Sequence, residues 1–437
     1  MSGVEIAFAS IGLMLVLIYA GMHVAIALTL LSFLGVWILR DNFNVASNML
    51  VLAFKDAISD YLFGVVPLFV LMGLLVSVAG IGRDTFEVAA QLFRRVMGGL
   101  GIATVAANAV FAAITGISIA SAAVFTKVAV PEMIRHGYTP RFAVGVVAGS
   151  SVLGMLIPPS LLFILYGVLT EQSVGSLFIA GVIPGILLSL VYCAGILAIG
   201  RLAPDFMGRG IDHAPEAPEM GVFEMVSKIS PIVILVALVL GGIYGGYFTP
   251  TEAGAAGALG ALVISLAKRR LTWASFWQVL VQTGHTTSSI CFLIMGASLY
   301  SRMLAMSGMP GWLGNFVVES GLGVTGIVLA LLLVIVLLGT ILDSASIMLL
   351  TLPIALPILM GANVDLIWLG VLTVLAVEIG LLTPPFGIAV FVIKATLGPD
   401  SRITLGEIFI GALPFAVMMA LVLALVFLFP SLATALL

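Results

Sequence analysis

Long apolar runs separated by short polar stretches make up most of this chain of 437 residues. A helix that spans a membrane needs about 20 mainly apolar residues. Runs of this kind lie at residues 229–247, 322–342, 367–382 and 409–429. The pattern predicts on the order of ten or more helical passes, some of them incomplete, and therefore a polytopic membrane protein.

Two of the apolar runs contain a double proline, in GMLIPPS at residues 154–160 and in GLLTPPF at residues 380–386. Because proline lacks the amide donor and disfavours a helical residue before it, each run predicts a helix that breaks within apolar sequence. One copy lies in each half of the chain. Paired broken helices in corresponding halves of a membrane protein indicate the central binding site of a transporter.

A second pair of motifs precedes the double prolines. Glycine and hydroxyl residues interrupt apolar sequence at residues 115–121, TGISIAS, and at residues 339–346, GTILDSAS. Irregular backbone at membrane depth is tolerated only where protein or a wet cavity satisfies its polar groups. We therefore interpret both motifs as the tips of re-entrant hairpins. The alternative is that the small residues only allow helices to pack closely.

Polarity rises clearly at one place, residues 201–228, which are rich in acids and prolines. We interpret this segment as a cytoplasmic linker between a first repeat, residues 1–200, and a second repeat, residues 229–437. Each repeat is expected to supply scaffold helices, one hairpin and one broken helix. Basic residues favour cytoplasmic loops, and the cluster at 268–270 is consistent with a linker on that side. The predicted fold class is an all-α polytopic membrane protein with two inverted repeats.

Composition supports this fold class and argues against several functions. Hydrophobic residues make up 62% of the chain and charged residues 8%, with a mean hydropathy of +1.29. The net charge of -3, with scattered basic residues, argues against nucleic-acid binding. The two cysteines and four histidines lack the spacing of a disulfide framework or a metal centre. Phosphate-loop and nucleophile-elbow motifs are missing too, so we expect neither an enzyme nor a cofactor.

Oxygen donors lie next to the predicted breaks. An unwound helix exposes carbonyl groups that can replace the hydration shell of a small cation, and helix N-termini favour anions. We therefore expect sodium and an acid to bind near the same breaks. The nearest side-chain donors are Thr115, Ser118, Thr340, Asp343, Ser344 and Thr383, with carbonyl groups around Gly154, Ile157 and Gly380.

Two charged residues have competing interpretations. Asp343 at membrane depth costs about 2.5–3.5 kcal/mol on insertion scales, which favours an ion ligand or gate residue. It is also suited to cap a helix that begins at Ser344, and both roles are compatible. Arg302 is a candidate partner of a substrate carboxylate, and the alternative is that its side chain extends to the membrane interface. The hydroxyls of Ser121, Ser160 and Ser344 complete the predicted substrate site.

Together the motifs resemble the large membrane subunit of the tripartite ATP-independent periplasmic (TRAP) transporters. The resemblance covers essentially the whole chain, and its most specific stretches are residues 67–73, 131–138, 154–160, 249–257 and 378–387. It implies an elevator-type transporter of the bacterial inner membrane, in which a mobile domain carries substrate and sodium past a static scaffold. It also implies a small four-helix membrane subunit and a soluble periplasmic substrate-binding protein as partners. The implied substrate is an organic acid such as a C4-dicarboxylate or a sialic acid.

By position, the resemblance implies two sodium sites. The first comprises Thr115, Ser118, Gly154, Ile157 and Pro159, and the second comprises Thr340, Asp343, Gly380, Thr383 and Pro385. The first tip departs from the family pattern because Ile117 stands where adjacent hydroxyls are expected, so a backbone carbonyl is the remaining donor there. Since no four-helix segment precedes residue 1, we expect the small subunit to be a separate chain.

These observations predict the large permease subunit of a sodium-coupled, binding-protein-dependent secondary importer of a carboxylate. A stand-alone sodium/carboxylate symporter of a related elevator family is the alternative within transport. A channel or a membrane scaffold is the alternative from a different functional class.

Overall fold

The computed structural model describes residues 2–59, 64–208, 220–320 and 323–437, and most of these residues are helical. In chain order the helices are α1 (Gly3–Tyr19), α2 (Val24–Arg40), α3 (Phe43–Ser59), α4 (Val65–Val78), α5 (Ile81–Phe93), α6 (Gly99–Thr115), α7 (Ser118–Arg135), α8 (Pro140–Ser151), α9 (Leu153–Leu156), α10 (Leu161–Thr170), α11 (Val174–Leu202), α12 (Pro204–Met207), α13 (Val222–Tyr244), α14 (Pro250–Ala267), α15 (Trp273–Ser307), α16 (Met309–Ser320), α17 (Gly323–Gly339), α18 (Ser344–Gly361), α19 (Leu366–Leu382), α20 (Ile388–Leu397), α21 (Leu405–Leu428) and α22 (Ser431–Thr434).

The helices confirm a polytopic membrane protein. Within the described residues, seven helical segments are long and apolar enough to cross a membrane when α8–α10 (Pro140–Thr170) count as one, or eight if the bent pair α4–α5 also counts as one span. That pair bends by 61°. Large apolar side chains also face outward, for example Leu413 and Val417 of α21, which are 58% and 61% exposed. Such a surface is suited to lipid rather than to water.

The same order of elements occurs in both halves of the chain. In the first half, α6 and α7 are joined by two residues, and a helix broken between α9 and α10 follows. In the second half, α17 and α18 are joined by residues 340–343, and a break separates α19 from α20. The halves differ ahead of the hairpins, where α3 and α4 are separate helices but α15 is a continuous helix of 35 residues.

The two halves do not fold as separate bodies. Helices α2, α3 and α4 contact α14 or α15, and α7, α8 and α11 contact α20 or α21. One of these contacts is a close backbone crossing of α8 and α21, because a Cβ placed on Gly145 would lie 2.1 Å from the Gly411 carbonyl oxygen. Both hairpins and both breaks therefore lie in a group of helices to which the two halves contribute.

The predicted linker overlaps three helices. Helix α11 continues to Leu202, α12 lies wholly inside the predicted linker at 201–228, and α13 begins at Val222, so the second half begins its helical structure there. Charge pairing explains this extension, because Lys228 on α13 contacts Glu224 at 2.8 Å and Glu87 on α5 at 2.9 Å. Residues 209–219, at the centre of the predicted linker, lie outside the described residues.

Helix α5 is tied to the second half by ion pairs. Asp84, whose side chain is 6% exposed, contacts Lys268, and it also lies 3.6 Å from the Arg270 guanidinium. Arg270 also donates to the Ala79 carbonyl oxygen, at the bend between α4 and α5, over 3.4 Å. A carboxylate this deeply buried requires such partners.

Candidate ion and substrate site

The first hairpin tip packs directly against the first double proline. The Leu161 amide donates to the Gly116 carbonyl oxygen at 3.2 Å. Gly116 has a φ of +59°, and a Cβ at this position would lie 2.6 Å from the Pro159 carbonyl oxygen. Only glycine combines this left-handed backbone with so close an approach. The predicted facing of tip and break is therefore present in the first unit, which we define as residues 115–161.

The second unit, residues 339–387, repeats this arrangement. The amides of Phe386 and Gly387 both donate to the Thr340 carbonyl oxygen, at 3.2 and 3.1 Å. A Cβ on Gly380 would lie 2.5 Å from the Gly339 Cα, so α17 and α19 also cross with backbone in contact. The Pro158–Pro159 and Pro384–Pro385 peptide bonds are both cis.

The breaks begin later than the leading glycines suggest. Helix α9 continues to Leu156 and α19 to Leu382, so Gly154 and Gly380 are still helical. Extended backbone begins at Ile157, with ψ of 125°, and at Thr383, with ψ of 137°. These are the residues directly before the prolines, which proline disfavours in a helix. The glycines instead allow close approach of the neighbouring backbone.

Three of the predicted sodium ligands are threonines whose hydroxyls already donate to their own helices. Thr115 donates to the Phe111 carbonyl oxygen at 3.1 Å, Thr340 to Leu337 at 2.8 Å and Thr383 to Ile379 at 2.7 Å. A hydroxyl that donates its hydrogen keeps oxygen lone pairs, which can face a cation. The donor set at both breaks consists of oxygen atoms and therefore fits a hard cation such as sodium. The individual ligands stay predictions.

Asp343 caps the helix that follows it, as one interpretation of the sequence predicted. Its carboxylate accepts from the Ser346 amide at 3.2 Å and from the Ser346 hydroxyl at 2.5 Å. The first tip lacks a side-chain cap, because Ile117 is the N-cap residue of α7. There the hydroxyl of Ser118 instead donates to Glu378 Oε2 at 2.9 Å.

Glu378 is a functional candidate to which the sequence interpretation assigned no role. It lies on α19, is 1% exposed and joins the second unit to the tip of the first through Ser118. Oε1 has no hydrogen-bond partner within the part of the chain that the structure describes. An acid inside a long apolar run is itself a signal of function, and this signal identifies Glu378.

The predicted substrate residues fall into two groups. Ser121 is fully buried, and its hydroxyl has no hydrogen-bond partner among the described residues. Ser160 accepts from the Phe163 amide at 3.3 Å and so caps α10, and Ser344 is the first residue of α18. Arg302 lies apart from these serines, because it pairs with Asp56 of α3 at 2.6 Å. The structure therefore places three of the four predicted substrate residues close to the tips and breaks. It pairs the fourth, Arg302, with Asp56 instead.

A pocket borders the first unit on its α4 side. Its lining combines tip, break and α4 residues: Phe69, Val70, Thr115, Gly116, Ile117, Pro159, Leu161 and Ile164. Helix α4 approaches the tip closely, because a Cβ on Gly73 would lie 2.9 Å from the Thr115 carbonyl oxygen. The first tip is thus enclosed between its own break and α4.

Comparison with known proteins identifies the family. The model of the tripartite ATP-independent periplasmic transporter DctM component matches residues 11–432. The chain is 34% identical over 375 residues to the C4-dicarboxylate TRAP transporter large permease protein DctM of Pseudomonas aeruginosa, covering 85% of each chain. It is 30% identical over 416 residues to the sialic acid TRAP transporter large permease protein SiaM of Vibrio cholerae, covering 95% of this chain and 94% of that protein.

A solved structure shares the fold. The YdaH transporter of Alcanivorax borkumensis superimposes with a TM-score of 0.57 over 89% of this chain and 88% of that chain, at 14% sequence identity. The family match and the apolar helices agree with a multi-pass protein of the bacterial inner membrane. The chain belongs to the tripartite ATP-independent periplasmic transporters, as a large permease of the DctM component family.

Proposed function

We propose that this chain is the large permease subunit of a sodium-coupled importer that receives a carboxylate from a separate periplasmic binding protein. The observation that carries the proposal is the pair of hairpin–break units joined by the hydrogen bond from Ser118 to Glu378. Two broken elements that meet inside an apolar helical body supply backbone oxygens for a cation and helix N-termini for an anion.

The proposed sodium sites are the two sets of oxygen donors at the tips and breaks. In the first unit, Thr115 and Ser118 act with the carbonyl groups of Gly154, Ile157 and Pro159. In the second unit, Thr340 and Asp343 act with the backbone of Gly380, Thr383 and Pro385. Sodium bound at both sites offsets the charge of an acidic substrate, so ion and acid cross together.

The proposed substrate class is a carboxylate. The two relatives described above are named for a C4-dicarboxylate and for sialic acid, and both compounds are organic acids. In this chain α7 and α18 begin at Ser118 and Ser344. The positive ends of these helices and the hydroxyl of Ser121 provide hydrogen-bond donors that favour a carboxylate. The Ser160 hydroxyl already donates to the Met155 carbonyl oxygen.

The proposed motion is an elevator. The helices that carry both hairpin–break units form the mobile domain, and α1–α4 with α13–α16 form the scaffold, in an inverted-repeat arrangement. The contact of α8 with α21 at Gly145 and Gly411 supports movement as one body, because backbones this close leave no room for sliding side chains. A small four-helix subunit and a soluble periplasmic protein complete the proposed system.

Reconstitution tests this function. Proteoliposomes containing this chain with its small subunit are supplied with a binding protein loaded with a radiolabelled C4-dicarboxylate or sialic acid. We expect uptake only with an inward sodium gradient and only with the binding protein present. Uptake of free acid without the binding protein would indicate a stand-alone symporter. Flux that persists when choline replaces sodium would indicate a channel.

A further inference from the structure

Glu378 of the second unit contacts the tip of the first unit. Its Oε2 accepts from Ser118, the first residue of α7, at 2.9 Å. Glu378 itself lies on α19 of the second unit, two residues before Gly380. Within the described residues, no other side-chain hydrogen bond joins the tip of one unit to the other unit. One side chain of the second unit therefore holds the first residue of the helix that begins at the tip of the first unit.

The burial of Glu378 makes its carboxyl group depend on hydrogen-bond partners. The side chain is 1% exposed, and an acid removed from water is tolerated only when its oxygens are hydrogen-bonded or otherwise compensated. The Ser118 hydroxyl and the N-terminus of α7 meet part of this need, since a helix N-terminus favours a negative group. Moving the first tip away from Glu378 would deprive Oε2 of its partner. The carboxyl group thus favours one arrangement of the first tip against α19.

We propose that Glu378 is a positioning residue that couples the two sodium sites, so that an ion bound in one unit raises the affinity of the other. This inference rests on the sodium coupling of the proposed function. Ser118 belongs to the first predicted site, and Glu378 lies two residues before Gly380 of the second. Because Glu378 accepts the Ser118 hydrogen, it turns the lone pairs of that oxygen toward the site. An ion that fixes the backbone at Gly380 also fixes the carboxyl group, which then holds the first tip.

Three variants test the coupling. Glu378→Met removes both acceptor oxygens with similar side-chain length. Glu378→Gln keeps one carbonyl oxygen that can accept from Ser118, but it removes the charge. Thr373→Val is the matched control, because Thr373 is also fully buried on α19 and its hydroxyl has no partner among the described residues.

The measurement is the sodium dependence of two quantities, the initial uptake rate in proteoliposomes and the melting temperature of the purified full chain with its small subunit. We expect cooperative sodium dependence for the unmodified protein and for Thr373→Val. For Glu378→Met, the apparent sodium affinity should fall about tenfold, within the range of measured coupling free energies, and the Hill coefficient should fall to one. Glu378→Gln should keep part of the cooperativity, with a smaller loss of affinity, because its carbonyl oxygen can still accept from Ser118.

The outcomes separate this inference from the proposed function. If the unmodified protein shows no sodium dependence, the proposed function fails. If it is sodium-dependent but has a Hill coefficient of one, or if Glu378→Met keeps the cooperativity of the unmodified protein, only the coupling role fails. If Glu378→Gln loses sodium binding as completely as Glu378→Met, the charge of Glu378 holds an ion directly and the positioning role is wrong. Because glutamine matches glutamate in shape, Glu378→Gln still tests the coupling if Glu378→Met does not fold.

Discussion

The two hairpin–break units have the same plan but differ in burial and in the place of their side-chain cap. In the first unit, Pro158 and Pro159 are buried, whereas in the second Pro384 and Pro385 are exposed. In the first unit the cap is at the break, where Ser160 caps α10. In the second unit it is at the hairpin tip, where Asp343 caps α18.

Packing explains the difference in burial. Helix α11 packs closely over the first break, and its glycines allow this approach. A Cβ on Gly181 would lie 2.6 Å from the Leu156 carbonyl oxygen, and one on Gly185 would lie 2.7 Å from the Ile157 side chain. Helix α4 covers the tip of the same unit. The second break instead ends in Phe386, which is 48% exposed. In this structure the first unit is enclosed and the second is open on one side.

The largest expected effect comes from Gly116→Ala in the enclosed unit. The left-handed backbone alone costs about 1–2 kcal/mol for a residue with a Cβ, and the Cβ would also overlap the Pro159 carbonyl oxygen. We expect a lower melting temperature and loss of uptake. Gly241→Ala is the control, because a Cβ there meets nothing within 4 Å. Equal melting temperatures for the two variants would contradict the close contact of tip and break.

Substitutions of Asp343, in the second unit, test whether this residue binds an ion as well as capping α18. Asp343→Asn keeps a side-chain acceptor for the Ser346 amide, so stability should change little while the sodium concentration for half-maximal uptake rises. Asp343→Ala should also lose the cap, which typically stabilises by about 0.5–2 kcal/mol. Sodium titrations and thermal unfolding of both variants separate the two roles. A normal sodium titration for Asp343→Asn would leave only the cap.

Chemical labelling tests the difference in burial directly. In a background with Cys193 and Cys291 replaced by serine, Phe386→Cys and Leu161→Cys are compared for reaction with a water-soluble maleimide. Phe386 is 48% exposed and Leu161 is 8% exposed, so we expect the first variant to react much faster. Equal labelling rates would show that the two breaks are equally accessible in the membrane.

The smallest effect is expected from Ser160→Ala. It removes the cap of α10, and its loss should cost about 1 kcal/mol, since the Phe163 amide then lacks its side-chain acceptor. Thermal unfolding should show a modest destabilisation, smaller than that of Gly116→Ala. Ser173→Ala is a matched control, because Ser173 caps α11 in the same way at an exposed position. A far larger loss for Ser160→Ala would show that its hydrogen bond to the Met155 carbonyl oxygen contributes more than the cap.

Much of the site was predictable because its parts are local. A double proline breaks a helix wherever it stands, so both breaks could be located from the sequence, although the helices extend beyond the leading glycines. The cap at Asp343 was predictable for the same reason, since its partner Ser346 is three residues away. Arg302 was harder to assign, because its partner Asp56 lies 246 residues earlier in the chain.

The sequence by itself determined a polytopic membrane protein with two hairpin motifs and two breaks, because apolar length and missing amide donors act within a few residues. Only the tertiary structure decided which buried oxygens meet. Ser118 and Glu378 are separated by 260 residues, yet their side chains form a hydrogen bond. The tertiary structure also enclosed one break and left the other open, because burial depends on the helices packed around a segment and not on the residues within it.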